Sequence, residues 1–302
     1  MRVPRHVLPV VLLAALPSAA GAADPRTVGL AVTDAAGAFV ADLRKEEVQV
    51  LENGEVRELV GFEKDERPLS VVLVLDTSTG AGLVFRVEAP RAIPAFLGRL
   101  PAGSRTVLWA TGDRPRKIGE LSGSPADVEK RVSQGFNIEG RNALLDTLVE
   151  AAEGLARESG RRRALVAVSG TAEGLTNLAP GDVTGAVRKA GARVMAAMYR
   201  EGEMGGVGSL MGLGTMRDTA NLTIVGAGDH ERILTGLAQG TGGRFESRGT
   251  AQGMTSVLEG LGADIAGQYR LRYASSEAKG PKRVEVRLAR TGVRWWVTVD
   301  TP

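Results

Sequence analysis

The sequence predicts an α/β fold: a doubly wound, mostly parallel sheet with helices on both faces, flanked by a small β-rich domain built from both chain ends. Three observations favour this fold. Residues 71–75 form a continuous run of branched apolar side chains, which is typical of a strand buried on both faces of a parallel sheet. Strand and helix patterns alternate from there to about residue 266. Both chain ends instead show the period of two that is typical of half-buried antiparallel strands.

The first 22 residues have the features of a signal peptide. Arg2 and Arg5 precede an apolar segment at 7–16, and Ala20-Gly21-Ala22 supplies the small residues of a cleavage site. That segment is shorter than the roughly 20 residues that a membrane span needs, and no later segment predicts a span. We therefore expect an exported, soluble protein that is periplasmic or secreted. The chain contains no cysteine, so its stability must come from core burial and not from disulfides.

The charge balance argues against a nucleic-acid partner. The formal net charge is +3, and Arg2 and Arg5 of the predicted signal peptide contribute two of these charges. The densest basic cluster, Arg161-Arg162-Arg163, lies between a predicted helix and a predicted strand. Cations beside a helix C-terminus are the commoner explanation of such a cluster. We expect no nucleic-acid binding, because that requires a basic face.

The two chain ends predict β structure. Residues 27–66 predict an N-terminal β module with strands at 28–33, 48–51 and 56–62, in which Asn53-Gly54 indicates a hairpin. This module is too short to be stable alone. Residues 267–302 predict three more antiparallel strands, at 269–273, 284–288 and 293–299. We expect the two segments to pack together beneath the edge of the parallel sheet that lies opposite the ligand site.

Residues 69–266 predict the α/β domain itself. The predicted strands are 71–75, 106–110, 117–121, 164–168, 193–198 and 243–246. The predicted helices are 86–97, 124–132, 142–158, 181–189, 229–238 and 254–265. Pro90 and Pro94 leave the start of the first helix open. A long stretch rich in glycine and methionine, residues 200–228, is explained equally by a binding loop and by an unstructured excursion.

Polar residues follow the predicted strands at positions where open α/β sheets bind ligands. Asp76-Thr77-Ser78-Thr79-Gly80 comes directly after the central strand, and Ser169-Gly170-Thr171 follows the strand at 164–168. Arg141-Asn142 lies at the start of a predicted helix. The carboxyl ends of parallel strands meet at one edge of a sheet. We therefore expect these segments to form one group of loops, which we call the crown.

These segments resemble the metal-ion-dependent adhesion site (MIDAS) of von Willebrand factor type A (VWA) domains. In that family an Asp-x-Ser-x-Ser loop, a Thr and an Asp supply the ligands. Asp76 and Ser78 match the family pattern, whereas Gly80, Asn142 and Gly170 stand where the second Ser, the Thr and the Asp are expected. The resemblance therefore implies a VWA domain with a degenerate MIDAS.

The ends of the chain resemble the bacterial VWFA-related subfamily in particular. The matching segments are Val32-Thr33-Asp34-Ala35-Ala36-Gly37, Glu52-Asn53-Gly54 and Gln268-Tyr269-Arg270-Leu271-Arg272-Tyr273. The resemblance covers nearly the whole chain after the signal peptide. It implies a secreted or envelope-associated interaction module with no established catalytic activity.

The remaining ligand set is a poor match for Mg²⁺, which requires nearly octahedral oxygen ligation. We expect no bound cofactor and interpret Asp76 and Ser78 as residues that organise the loop through hydrogen bonds to the backbone. The alternative is a rewired Mg²⁺ site that uses Asp76, Ser78 and Asn142. In that case Asp113, Thr171 and Glu173 are further candidates near the same edge.

The sequence predicts a binding module and not an enzyme. His230 is the only histidine after the signal peptide and cysteine is absent, which removes most nucleophile–base pairs. We expect His230 to lie on the first turn of a helix beside a capping Asp229. An unidentified protein partner is expected to bind Arg141, residues 171–176 and residues 200–228. A metal-dependent adhesion protein and a structural envelope component that oligomerises through strand edges are the alternatives, and the oligomeric state stays open.

Overall fold

The computed structural model describes residues 25–136, 140–170, 173–200, 223–276 and 282–299. The predicted signal peptide, Thr171 and most of the 200–228 stretch lie outside the described residues. The strands are β1 (Arg26–Thr33), β2 (Val48–Glu52), β3 (Glu55–Arg57), β4 (Leu59–Lys64), β5 (Leu69–Leu75), β6 (Arg105–Ala110), β7 (Arg116–Leu121), β8 (Arg162–Ser169), β9 (Gly174–Thr176), β10 (Arg193–Tyr199), β11 (Thr223–Val225), β12 (Phe245–Arg248), β13 (Tyr269–Tyr273), β14 (Val284–Leu288) and β15 (Arg294–Val299). The helices are α1 (Leu83–Leu97), α2 (Pro125–Gly135), α3 (Leu144–Leu155), α4 (Pro180–Ala190), α5 (Ala227–Thr241) and α6 (Met254–Ala266).

A six-stranded sheet forms the centre of the α/β unit, in the order β12-β10-β8-β5-β6-β7. All neighbours are parallel except β7, which lies antiparallel at the edge. Helices α1, α2 and α6 cover one face, and α3, α4 and α5 cover the other. Every residue of β5 is buried, because both faces of this strand lie under helices. The predicted fold class is confirmed.

The β-rich part combines both ends of the chain. One sheet has the order β15-β1-β13-β4 and a second has the order β14-β2-β3, so each contains strands from the N-terminal and the C-terminal segments. Their shared core includes Leu30, Leu271 and Tyr269. The Tyr269 ring stacks on Phe62 at 4.9 Å, and its hydroxyl donates to the Val40 carbonyl oxygen at 2.9 Å. Neither segment completes a sheet alone, which explains why both are needed.

Two elements differ from their predicted form. The single strand predicted at 56–62 is divided into β3, which pairs with β2, and β4, which pairs with β13 in the other sheet. The period-two pattern indicates which side chains are buried but not which strand pairs with them, so the division could not be predicted from it. Helix α3 begins at Leu144 and leaves Asn142 in the loop before it, whereas the sequence predicted a helix from 142.

Other elements differ at their ends. Helix α1 begins at Leu83 and continues through Pro90 and Pro94. Strand β12 lies two residues later than predicted, and the short pair β9 and β11 was not predicted. Within the described ranges, no helix combines the length and the apolar character that crossing a membrane requires.

Candidate functional site

The parallel register brings three strand ends together at the crown. Leu75 at the end of β5 pairs with Ala110 of β6 and with Val168 of β8. The ladder continues one residue further, since the Asp76 N–H donates to the Val168 carbonyl oxygen at 2.8 Å. The polar residues that follow these strands therefore emerge side by side, as expected for a parallel sheet.

The Asp76 carboxylate is the centre of this arrangement and is fully buried. Its oxygens accept hydrogen bonds from five groups. Oδ1 accepts from the Ser78 N–H at 2.9 Å and the Thr111 hydroxyl at 3.3 Å; Oδ2 accepts from the Asn142 Nδ2 at 2.8 Å, the Gly170 N–H at 2.9 Å and the Ser169 hydroxyl at 3.2 Å. A carboxylate offers about four lone-pair directions, so protein donors already occupy its accepting capacity.

The structure thus brings four of the sequence-predicted residues into contact, namely Asp76, Ser78, Asn142 and Gly170. Gly80 is exposed at the rim, in the short 3₁₀ turn Thr79–Ala81. The Arg141 N–H donates to Asp113 Oδ1 at 3.0 Å, which places both residues at the same edge. Thr171 lies outside the described residues.

Gly170 stands where the family pattern has an acid, and the backbone has closed around it. A Cβ at this position would lie 2.9 Å from the Ala81 Cα and 3.3 Å from Asp76 Oδ2. An acidic side chain therefore fits only if the backbone of the first loop moves. The crown is packed so closely around Gly170 that it leaves no space for an acidic side chain at this position.

Two oxygens near the carboxylate have no hydrogen-bond partner among the described residues. These are the Ser78 hydroxyl and the Asn142 Oδ1, and both are buried. Neither carries a charge, and Asn142 turns its amide N–H₂ toward the carboxylate. The residues present therefore do not fit a Mg²⁺ ion, because donors stand where the carboxylate would meet the cation. Within the described residues no group of three or more His, Asp or Glu side chains is placed to hold a metal.

His230 belongs to this region, which the sequence analysis did not predict. It is 1% exposed, and a Cβ on Gly174 would lie 3.0 Å from its Cε1. Burial lowers the pKa of His230, while the carboxylates of Asp76 and Asp229 oppose that effect. Neither ring nitrogen has a hydrogen-bond partner among the described residues. The neutral ring therefore fills space beneath the crown.

His230 lies on the first turn of helix α5, as expected, but the expected cap is wrong. Helix α5 begins after Gly226, and Asp229 instead pairs with Arg232 at 2.6 Å. Helix α5 directly follows β11, which pairs antiparallel with β9, and Gly174 of β9 lies against the His230 ring. The short pair β9 and β11 was not predicted, so no signal in the sequence marked the position of His230.

The α/β unit has the von Willebrand factor type A fold, with the site at the carboxyl edge of its sheet. The structure is similar to that of proximal thread matrix protein 1 from the mussel byssus, with a TM-score of 0.52 and 12% identity over 72% of this chain and 51% of that one. A second structure of that mussel protein, described as having a zinc-occupied MIDAS motif, gives a TM-score of 0.52 and 12% identity over 72% and 50% of the two chains.

A von Willebrand factor type A protein from Catenulispora acidiphila gives a TM-score of 0.49 and 10% identity over 90% of this chain and 72% of that one. This chain spans about half the length of the mussel protein. No family model matches the sequence, and no curated protein matches it. At this level of identity the likeness establishes the fold alone.

Proposed function

We propose that this protein is an exported interaction module whose crown binds a protein partner without a bound metal. The observation that carries the proposal is the saturated Asp76 carboxylate beside an exposed apolar surface. In VWA domains with a metal, a partner's carboxylate completes the coordination. Here donors of the chain itself already occupy Asp76, so recognition would depend on the surface of the surrounding loops.

That surface includes an apolar patch at the start of α1, directly after the first crown loop. Leu83 is 78% exposed, Val87 44% and Val84 38%. Residues three and four apart share one face of a helix, so these side chains lie together. Contiguous exposed apolar side chains are typical of protein-interaction sites. Arg141 and Asp113 add polar groups at the same rim.

A capture experiment from an envelope extract, with and without EDTA, tests this proposal. We expect the full-length chain to capture the same partner under both conditions. The double variant Leu83→Ser and Val87→Ser should lose capture. Val56→Ser with Val60→Ser is the matched control, because these side chains are also exposed but lie in the β-rich part. Loss of capture in EDTA, or equal loss in both variants, would contradict a metal-free crown interface.

A metal-dependent adhesion protein is the second candidate, and one observation favours it. The buried Ser78 hydroxyl and Asn142 Oδ1 have no hydrogen-bond partner among the described residues, and both atoms are oxygens of the kind that Mg²⁺ accepts. Calorimetric titration of the purified protein with Mg²⁺ and with Mn²⁺ separates the candidates. Heat of binding together with a rise in melting temperature would favour the metal-dependent form.

Export and the absence of catalysis are parts of the same proposal. Export rests on residues 1–22 as a cleaved signal peptide. Determination of the N-terminus of protein recovered from the periplasm or medium tests it, and a retained Met1 would contradict it. The proposal includes no catalytic step, and the burial of His230 and Asp76 supports this, because neither side chain is accessible to a substrate.

A further inference from the structure

A cavity of about 740 Å³ lies at the edge of the central sheet opposite the crown. It is lined by the beginnings of β8 and β10 and by residues of β1, β13, β14 and β15, so it lies between the α/β unit and the β-rich part. Its volume is within the range of roughly 300–1,000 Å³ that small-molecule sites occupy. We call it the basic cavity because of its lining.

Cationic side chains dominate this lining. The eight that contribute are Arg26, Arg67, Arg161, Arg162, Arg163, Arg193, Arg270 and Lys282. No carboxylate is among the described residues that line the cavity. Asp65 lies 2.7 Å from Arg67 and 3.9 Å from Arg162, and Glu52 lies 3.3 Å from Lys282, while Glu63 pairs with Arg270. Three carboxylates therefore lie beside four of the eight cations.

Arg193 is the most deeply placed of these cations, at 4% exposed. Its Nε donates to the Gly242 carbonyl oxygen at 2.7 Å, and its Nη1 donates to those of Asp264 and Gly267, both at 2.8 Å. Nη2 is buried and has no hydrogen-bond partner among the described residues. Burial lowers the pKa of Arg193 to about 10, with the Asp264 carboxylate opposing and the charge of Arg162 adding to the effect. A buried guanidinium with an unmet donor is costly unless an anion compensates for it.

Arg163 is held in a similar way. Its Nε donates to the Glu158 carbonyl oxygen at 3.0 Å, and its Nη1 donates to that of Ala190 at 3.1 Å. Ala190 is the last residue of α4, so the bond to Ala190 is a helix-end contact of the kind that the sequence predicted for the arginine cluster, whereas Glu158 lies three residues beyond the end of α3. Arg161 and Arg162, however, also line the cavity, so that explanation covers only part of the cluster. Carbonyl groups fix these guanidinium groups in place without neutralising them.

We propose that the basic cavity binds a small soluble polyanion that carries two or more phosphate-like groups. Guanidinium groups match the geometry of phosphate oxygens through paired N–H donors. The lining supplies several such groups, already positioned by the backbone, together with the neutral side chains of Gln268 and Thr298. The number of cations and the volume both exceed what a single phosphate group requires. This site is separate from the crown and does not depend on the proposed function.

Calorimetric titration of the full-length protein with inorganic pyrophosphate, compared with inorganic phosphate, tests the proposal. We expect saturable pyrophosphate binding that is tighter than phosphate binding and weakens as salt is added. The double variant Arg26→Gln and Arg161→Gln removes two lining cations. It should weaken pyrophosphate binding about tenfold, since hydrogen bonds between charged groups are lost.

Arg91→Gln with Arg188→Gln is the matched control, because it removes the same charge from exposed positions on α1 and α4 that do not line the cavity. It should bind pyrophosphate within about twofold of the wild type. No pyrophosphate binding by the wild type, or equal weakening in both double variants, would overturn the proposal. Vesicles that contain phosphatidylglycerol form a second arm. Binding to vesicles without binding to soluble pyrophosphate would overturn the assignment to a soluble ligand.

Discussion

The crown and the basic cavity lie at opposite edges of one sheet, and they differ in how their charged groups are compensated. At the crown, one buried carboxylate receives five hydrogen bonds from the protein itself. At the cavity, eight cations line one space, and buried Arg193 has a donor without a partner among the described residues. The first charge is compensated internally, whereas much of the second is not.

This difference shows why a family resemblance locates a site but does not establish its use. In the sequence, Asp76 and Ser78 resemble the metal ligands of the family pattern, yet in the structure both belong to an internal hydrogen-bond network. The basic cavity is marked in the sequence only by the Arg161-Arg162-Arg163 cluster, yet eight cations line it. Buried charge needs compensation, from the protein or from a ligand.

The largest expected effect concerns the structural role of Arg193 in the basic cavity, which is tested apart from ligand binding. Arg193→Met removes the donors to the Gly242, Asp264 and Gly267 carbonyl groups and should lower the free energy of unfolding by about 4 kcal/mol. Urea denaturation measures this. Arg188→Met, at an exposed position on α4, should change it by less than about 0.5 kcal/mol. Equal stability of the two variants would show that Arg193 is not a structural member of the cavity.

A second prediction concerns the closed crown. Gly170→Asp restores the acid of the family pattern, but its Cβ would lie 2.9 Å from the Ala81 Cα. We expect a loss of about 3 kcal/mol in the free energy of unfolding and no stabilisation by Mg²⁺. The control is Gly80→Ser, because Gly80 is exposed at the rim; it should be nearly neutral. A Gly170→Asp protein that gains melting temperature with Mg²⁺ would disprove the closed arrangement.

The Asp76 network is the subject of a third, smaller prediction. Asp76→Asn keeps the shape of the side chain but replaces one accepting oxygen by a donor that meets N–H groups already in place. The free energy of unfolding should fall by about 2 kcal/mol. Asp113→Asn changes an exposed crown carboxylate that accepts from the Arg141 N–H and should have little effect. If both variants unfold alike, the Asp76 network is not a stabilising element.

The last prediction is a pH dependence beside the basic cavity. Burial raises the pKa of Glu52, but hydrogen bonds from Ser276, Ser275 and Lys282 outweigh it and lower the pKa from 4.5 to about 2. The unfolded chain therefore takes up this proton first as the pH falls. The contribution of Glu52 is complete above pH 4.5 and is lost as the pH falls toward about 2.

Urea midpoints between pH 6 and pH 2.5, roughly spanning that interval, measure this dependence. Glu52→Gln should flatten the curve in the acid range. Glu55→Gln is the control, since its carboxylate is largely exposed, and it should retain the slope of the wild type. A Glu52→Gln curve parallel to that of the wild type would contradict the lowered pKa.

Much of the α/β unit follows from local patterns. A run of apolar β-branched and leucine residues at 71–75 has to be buried on both faces, and this requirement places it at the centre of a parallel sheet. The contact of Asp76 with Ser169 and Gly170 follows from that geometry, because parallel strands end at one edge. The division of the predicted 56–62 strand between two sheets does not follow, since alternation is the same whichever strand is the partner.

The sequence by itself determined the parallel sheet, the pairing of the β-rich chain ends as an expectation, and the residues that reach the crown. Each of these depends on runs of apolar residues or on the alternation of apolar and polar residues, and both can be seen in neighbouring residues along the chain. Only the tertiary structure decided that the crown carboxylate is saturated, that His230 is buried beside it, and that arginines from distant segments converge on one cavity. These features depend on distances between residues far apart in the chain, and no local pattern carries that information.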